Sequence, residues 1–163
     1  MYRFILFLLF AILLASCRFN PNFQGRGSDA LQGVWEEDSV LYQDVLSQYT
    51  RHKIRFSCDS FYMTLQTTSK AAISPDSCYN NGTWLEYMKG TYTVNGDTVH
   101  FFGTFTKSNF KQKISGCYRI GTYKPVYVIE KHSGSDLKLK SLSTHFPVLL
   151  KLKERITCIP KPL

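Results

Sequence analysis

Five cysteines, four histidines and one acid set among apolar residues carry most of this chain's chemical potential. The cysteines stand at 17, 58, 78, 117 and 158, with no Cys-x-x-Cys pair. The histidines, at 52, 100, 132 and 145, include no His-x-x-x-His pair. Zinc sites commonly draw their ligands from such local pairs, so the sequence offers no metal site, and it suggests no cofactor. Serines and histidines occur without a nucleophile elbow, and no catalytic residue is assigned. Glu86 is different. Alternation over 82–94 puts Trp84, Glu86, Met88, Tyr92 and Val94 on one face. If that face looks into an interior, the carboxylate costs several kcal/mol unless paired or protonated. Arg119, Arg55, a tyrosine hydroxyl or a solvated mouth position would meet that cost. The functional reading makes Glu86 a polar anchor in a mostly apolar pocket. Trp84, Glu86, Tyr92 and Phe101 are therefore the candidate ligand-binding residues.

The first cysteine has its own context. Arg3 precedes an unbroken apolar run, Phe4 to Leu14, that is followed by Leu14-Ala15-Ser16-Cys17. Eleven apolar residues fall short of the roughly 20 that span a bilayer; basic start, short apolar stretch and small-residue exit describe a signal peptide. The exit resembles the bacterial lipobox. That resemblance implies cleavage after Ser16, a diacylglycerol thioether on Cys17 with palmitate-class acyl chains, and attachment to a cell-envelope membrane. Arg18 follows, not the aspartate that resembles an inner-membrane retention signal, so the outer membrane is expected. Four cysteines then remain for an oxidising compartment, enough for two disulfides.

The expected organisation is a signal peptide over 1–16, a lipidated tether over 17–30 and one domain over 31–163. The mature chain keeps 19 Lys and Arg against 12 Asp and Glu. The basic residues are dispersed through strands, as in Lys138-Leu-Lys140 and Lys151-Leu-Lys153, which reads as a solvated outer face. Nucleic acid is not an expected partner; a membrane, through the anchor, is.

Runs rich in Val, Ile, Thr, Tyr and Phe, punctuated by turn residues, mark antiparallel strands. Eight are expected, at about 31–37, 52–58, 60–67, 82–94, 98–106, 117–131, 136–142 and 146–155. Asn95-Gly96 supplies a tight hairpin turn. The connection 38–51 partly fits helical spacing and could hold a short helix or lid. One apolar face per strand suits an all-β, eight-stranded, up-and-down barrel, which removes exposed strand edges.

Gly33-Val34-Trp35 resembles the Gly-x-Trp signature of lipocalins and lipocalin-like (calycin) proteins. Gly90 to Asp97 and the closing strands are similar to those of bacterial lipocalin-like lipoproteins. The resemblance covers about 31–155 and implies a lipocalin-like barrel binding a small apolar or amphipathic ligand. In that family the tryptophan packs across the closed end against a basic residue near the last strand; Arg155 matches, through a cation–π contact. Gly33, Trp35 and Arg155 are thus fold markers. A barrel filled by side chains, serving protein interaction or structure, is the alternative. The chain also resembles short bacterial lipoproteins that bear the name fumarate hydratase, a minor alternative as a lyase. The Gly-Ser-Ser-x-Met-Pro loop of large helical fumarases is absent, and the chain is too short for their fold.

The meander also pairs the cysteines. Strands of eight residues span about 27 Å, whereas disulfide Cα atoms lie within roughly 7 Å. Following the chain up and down puts Cys58 and Cys158 at one end and Cys78 and Cys117 at the other. The predicted bonds are Cys58–Cys158 and Cys78–Cys117.

Overall fold

The computed structural model describes residues 24–71, 76–142 and 146–160. The signal peptide, Cys17 and His145 lie outside the described residues. Nine strands form one antiparallel sheet: β1 (Gly33–Glu36), β2 (Gln48–Ser57), β3 (Ser60–Ser69), β4 (Thr83–Asn95), β5 (Thr98–Thr106), β6 (Thr122–Tyr123), β7 (Val126–His132), β8 (Asp136–Ser141) and β9 (Val148–Arg155). β1 to β5 and then β7 to β9 pair in sequence, and β1 pairs with β9, so eight strands close an up-and-down barrel. β6 is a two-residue addition to β5.

Alternation explains the lumen. Phe61, Met63 and Leu65 of β3, Val99, Phe101 and Phe105 of β5, and Leu137 and Leu139 of β8 are all buried. Their outward neighbours include lysines paired with acids: Lys138 and Glu130 at 2.8 Å, Lys153 and Asp38 at 2.7 Å, and Lys151 with Asp136. Solvent-exposed pairs of this kind add little to stability; the inward apolar side chains, at about 1.5–3 kcal/mol each, hold the fold. Much of that interior is aromatic. Phe61 and Phe101 meet edge to face at 4.8 Å, as do Phe56 and Tyr92.

The two ends of the barrel differ because their connections differ. Tight turns at 58–59, 96–97 and 133–135 crowd one end, which the segment before β1 also closes. There Trp35 is fully buried and its Nε1 donates to Leu31 O at 2.8 Å. Gly33 has φ +147, and a Cβ on it would stand 2.5 Å from Glu154 O. The Gly-x-Trp pair thus lets β9 approach closely while the indole fills the space beside it. Gln24 to Ala30, in the stretch that composition assigns to a tether, lie against this end: Gly25 N–H donates to Asp59 Oδ2 at 2.8 Å, and Ser28 N–H to the Tyr92 hydroxyl at 3.1 Å. Longer connections, described over 37–47, 70–71, 76–82, 107–121, 142 and 146–147, surround the other end.

Both disulfides join as the meander requires. Cys58–Cys158 ties the closed end, with Cα atoms 4.8 Å apart. Cys78–Cys117 ties two long connections at the other end, with Cα atoms 5.6 Å apart.

Three expectations need correction. The connection 38–51 forms no helix. Its turns, with Gln43 N–H on Val40 O and Leu46 N–H on Tyr42 O, run through Tyr42 at φ +60, a left-handed conformation that ends a helical run, and Gln48 onward pairs with β3. The short helix of the described residues is instead α1 (Asp76–Tyr79), followed by one tight turn at Asn80–Gly82. The expected strand 117–131 is split into β6 and β7. Pro125 lacks an N–H for the ladder, Tyr118 and Gly121 have positive φ, and 117–121 is loop. Third, Arg155 does not carry the expected contact with Trp35. It is exposed and its Nη2 donates to Gly134 O at 2.8 Å; the ring beside Trp35 is His132, at 5.9 Å between centroids.

Candidate functional site

The looped end holds a cavity of about 380 Å3. Leu46, Tyr49, Leu65, Phe146 and Val148 supply apolar wall. Tyr123 and Tyr127 also face it, backed by the packed lumen: Tyr123 meets Phe105 edge-on at 5.5 Å, and Tyr127 meets Phe101 at 5.7 Å. The barrel is therefore filled at its closed end and hollow at its mouth. A concave, mostly apolar cavity with a few placed polar groups is the usual form of a small-molecule site.

The polar groups come from four strands and two connections. Glu37 follows β1. Its Oε2 accepts from His52 N–H at 3.2 Å and lies 2.9 Å from His52 Nδ1, while its Oε1 accepts from Leu149 N–H at 3.3 Å. A buried carboxylate must find donors, and these three bind the end of β1 to β2 and β9. Arg119, on the 107–121 connection, reaches the cavity wall. Its Nε and Nη2 donate to Oε1 and Oε2 of Glu86 at 2.9 and 2.6 Å, and its own N–H adds a bond to Oε1 at 3.2 Å. The guanidinium also stands 5.0 Å over the Phe105 ring. The hydrogen bonds that Arg119 donates to Glu86 are the main cause that raises the Arg119 pKa, so its charge is held firmly. Burial pushes the Tyr123 phenol well above its usual range, helped by nearby Tyr127, and pushes Tyr127 up too.

The four candidate ligand residues are not brought together here. None of Trp84, Glu86, Tyr92 and Phe101 lines this cavity. Phe101 and Tyr92 lie in the filled part of the lumen, each 1 % exposed. The Tyr92 hydroxyl accepts from Gln32 Nε2 at 3.0 Å and from Ser28 N–H, inside the closed end, and burial raises its pKa. Trp84 stacks on Tyr118 at 5.2 Å, close to the Cys78–Cys117 bond in sequence. Glu86 is buried on the inward face, as its alternation requires, but as the partner of Arg119 and one side chain removed from the cavity. Sequence reasoning missed Glu37, His52, Tyr123 and Tyr127. Alternation separates inside from outside but does not give height along the barrel. Among the described residues no group of three His, Cys, Asp or Glu side chains is placed to hold a metal ion.

Protein-family models and solved structures yield no match to this chain.

Proposed function

We propose that this protein is a lipid-anchored lipoprotein of the bacterial cell envelope that binds a small apolar or amphipathic molecule in the mouth of its barrel. The observation that carries the reading is the hollow end: about 380 Å3 of cavity, walled by apolar side chains and furnished with buried polar ones, above a lumen filled by one cluster of buried apolar side chains. Attachment through Cys17 rests on the lipobox resemblance and on the count of cysteines, since the two disulfides use the other four. The described chain starts at the closed end, so a tether there leaves the mouth clear for ligand. Native mass spectrometry of the protein released from its own envelope tests this. A retained small molecule, lost when Leu65→Trp fills the cavity, is expected. Repeated absence of any adduct in the unsubstituted protein counts against it.

A second reading, docking of a protein partner, is favoured by one feature. Leu41, Tyr42, Val45, Leu142 and Phe146 are exposed in the two connections beside the cavity, with Tyr42 and Phe146 in edge contact at 6.0 Å. Exposed apolar clusters often mark interaction surfaces. Recovery of one defined envelope protein by crosslinking at Val45, with no small molecule bound, would favour this reading.

A further inference from the structure

The charged groups at the cavity wall already have hydrogen-bond partners. Arg119 is the one Lys or Arg among the described residues lining it, and both oxygens of Glu86 take its hydrogen bonds. Glu37 adds a second carboxylate, whose oxygens receive Leu149 N–H and the His52 main chain and ring. Over Arg119, Glu86, Glu37 and His52 the charge sums to minus one with a neutral imidazole and to zero with a protonated one. In neither state does a cation of the described residues face the cavity without a carboxylate partner. A carboxylate or phosphate entering it would lose its water without a free cation to receive it, and burying an uncompensated charge is costly. An ammonium would face Arg119 and find no carboxylate oxygen lacking a donor.

A neutral donor remains. The Tyr123 hydroxyl lies 3.2 Å from Met63 Sδ and also hydrogen-bonds the Tyr127 hydroxyl, so of the pair's two protons one is held only by a thioether, a weak acceptor that a ligand oxygen would displace. Tyr127 stands beside it at the wall. Burial keeps both phenols protonated through the physiological range. The volume matches about a dozen methylene-sized groups, taking each as close to one water's share of liquid.

We propose that the cavity selects a short amphiphile whose polar end is uncharged and accepts hydrogen bonds, such as a medium-chain acylglycerol, over the free fatty acid or a cationic amphiphile of the same length. This rests on the binding reading above. The test uses residues 24–163, which include every strand and both disulfides, and isothermal titration with monodecanoylglycerol, decanoate and decyltrimethylammonium below their micelle concentrations. Monodecanoylglycerol is expected to bind about tenfold or more tighter than either ion, the worth of one to two hydrogen bonds not offset by charge desolvation. Tyr123→Phe with Tyr127→Phe should narrow that gap. Glu86→Gln, which leaves Arg119 unpaired, should shift preference toward decanoate by a similar factor. A charged ligand binding the unsubstituted protein as tightly as the neutral one overturns this inference and leaves the binding reading standing. No binding of any of the three overturns both.

Discussion

Replacing Gln32 by alanine should open the closed end of the barrel. Gln32 is 3 % exposed, and its side chain bridges the segment before β1 to the turn between β2 and β3. Oε1 accepts from Cys58 N–H at 2.7 Å; Nε2 donates to Cys58 O at 2.8 Å and to the Tyr92 hydroxyl at 3.0 Å. Cys58 has φ +55, outside the regular ladder, so its main chain depends on this amide. Alanine strands one buried N–H and one buried C=O at about 1–3 kcal/mol each, giving about 3 kcal/mol in total. For a domain of this size that lowers the melting temperature by about 10 °C. Gln32→Leu keeps the volume without the bonds and should be equally poor, which separates lost hydrogen bonds from lost packing. The assay is thermal unfolding followed by circular dichroism with disulfides intact, together with hydrogen exchange at the Cys58 amide. If either variant melts within about 2 °C of the parent, or the Cys58 amide exchanges rapidly in the parent, water already reaches this turn and the end is not sealed.

Two further outcomes follow from the interior. Tyr92, Tyr123 and Tyr127 have phenol pKa values raised by burial above the usual value of about 10. The unfolded chain releases those protons first as pH rises, so their stabilising effect is complete below about pH 10 and declines as pH climbs toward the folded-state values. In the 24–163 domain, which holds nine of the ten tyrosines, tyrosinate absorbance should show these three resisting ionisation until the barrel unfolds; smooth titration of all nine in the folded state would contradict it. Gly90 and Gly103 face each other across β4 and β5, where a Cβ would stand 2.1 Å from Phe102 O or 2.5 Å from Lys89 O and 2.7 Å from the Phe61 ring. Gly103→Ala should destabilise by about 1–3 kcal/mol in a denaturant titration, since backbone cannot yield as a flexible side chain would; a change under about 0.5 kcal/mol would refute that.

The barrel was legible because strand periodicity is a local signal. Phe61, Met63 and Leu65 alternate without interruption, and Asn95-Gly96 marks its hairpin. The disulfides were legible one step later, because an up-and-down path assigns each cysteine to an end. The break at Pro125 was readable in principle, but the flanking Tyr-rich and Val-rich runs continue the pattern on both sides. In the connection 38–51, Val40, Leu41, Val45 and Leu46 fit helical spacing equally well as an apolar lip, and only Tyr42's backbone decides between them. The site was hardest to read. Glu86 and Arg119 meet across 33 residues of sequence, and Glu37 with His52 across 15. Trp84, Tyr92 and Phe101 share an inward face, yet the filled lumen assigns them to different heights, and the hollow part falls to residues whose types look the same in sequence.

The most direct test of the account is where a ligand touches the barrel. Methyl and aromatic NMR spectra of the 24–163 domain, titrated with monodecanoylglycerol, should shift at Leu46, Leu65, Tyr127 and Val148 and leave Tyr92, Phe56 and Met88 in place. Shifts centred on Tyr92 and Phe56, or none at the mouth, would contradict a site at the open end.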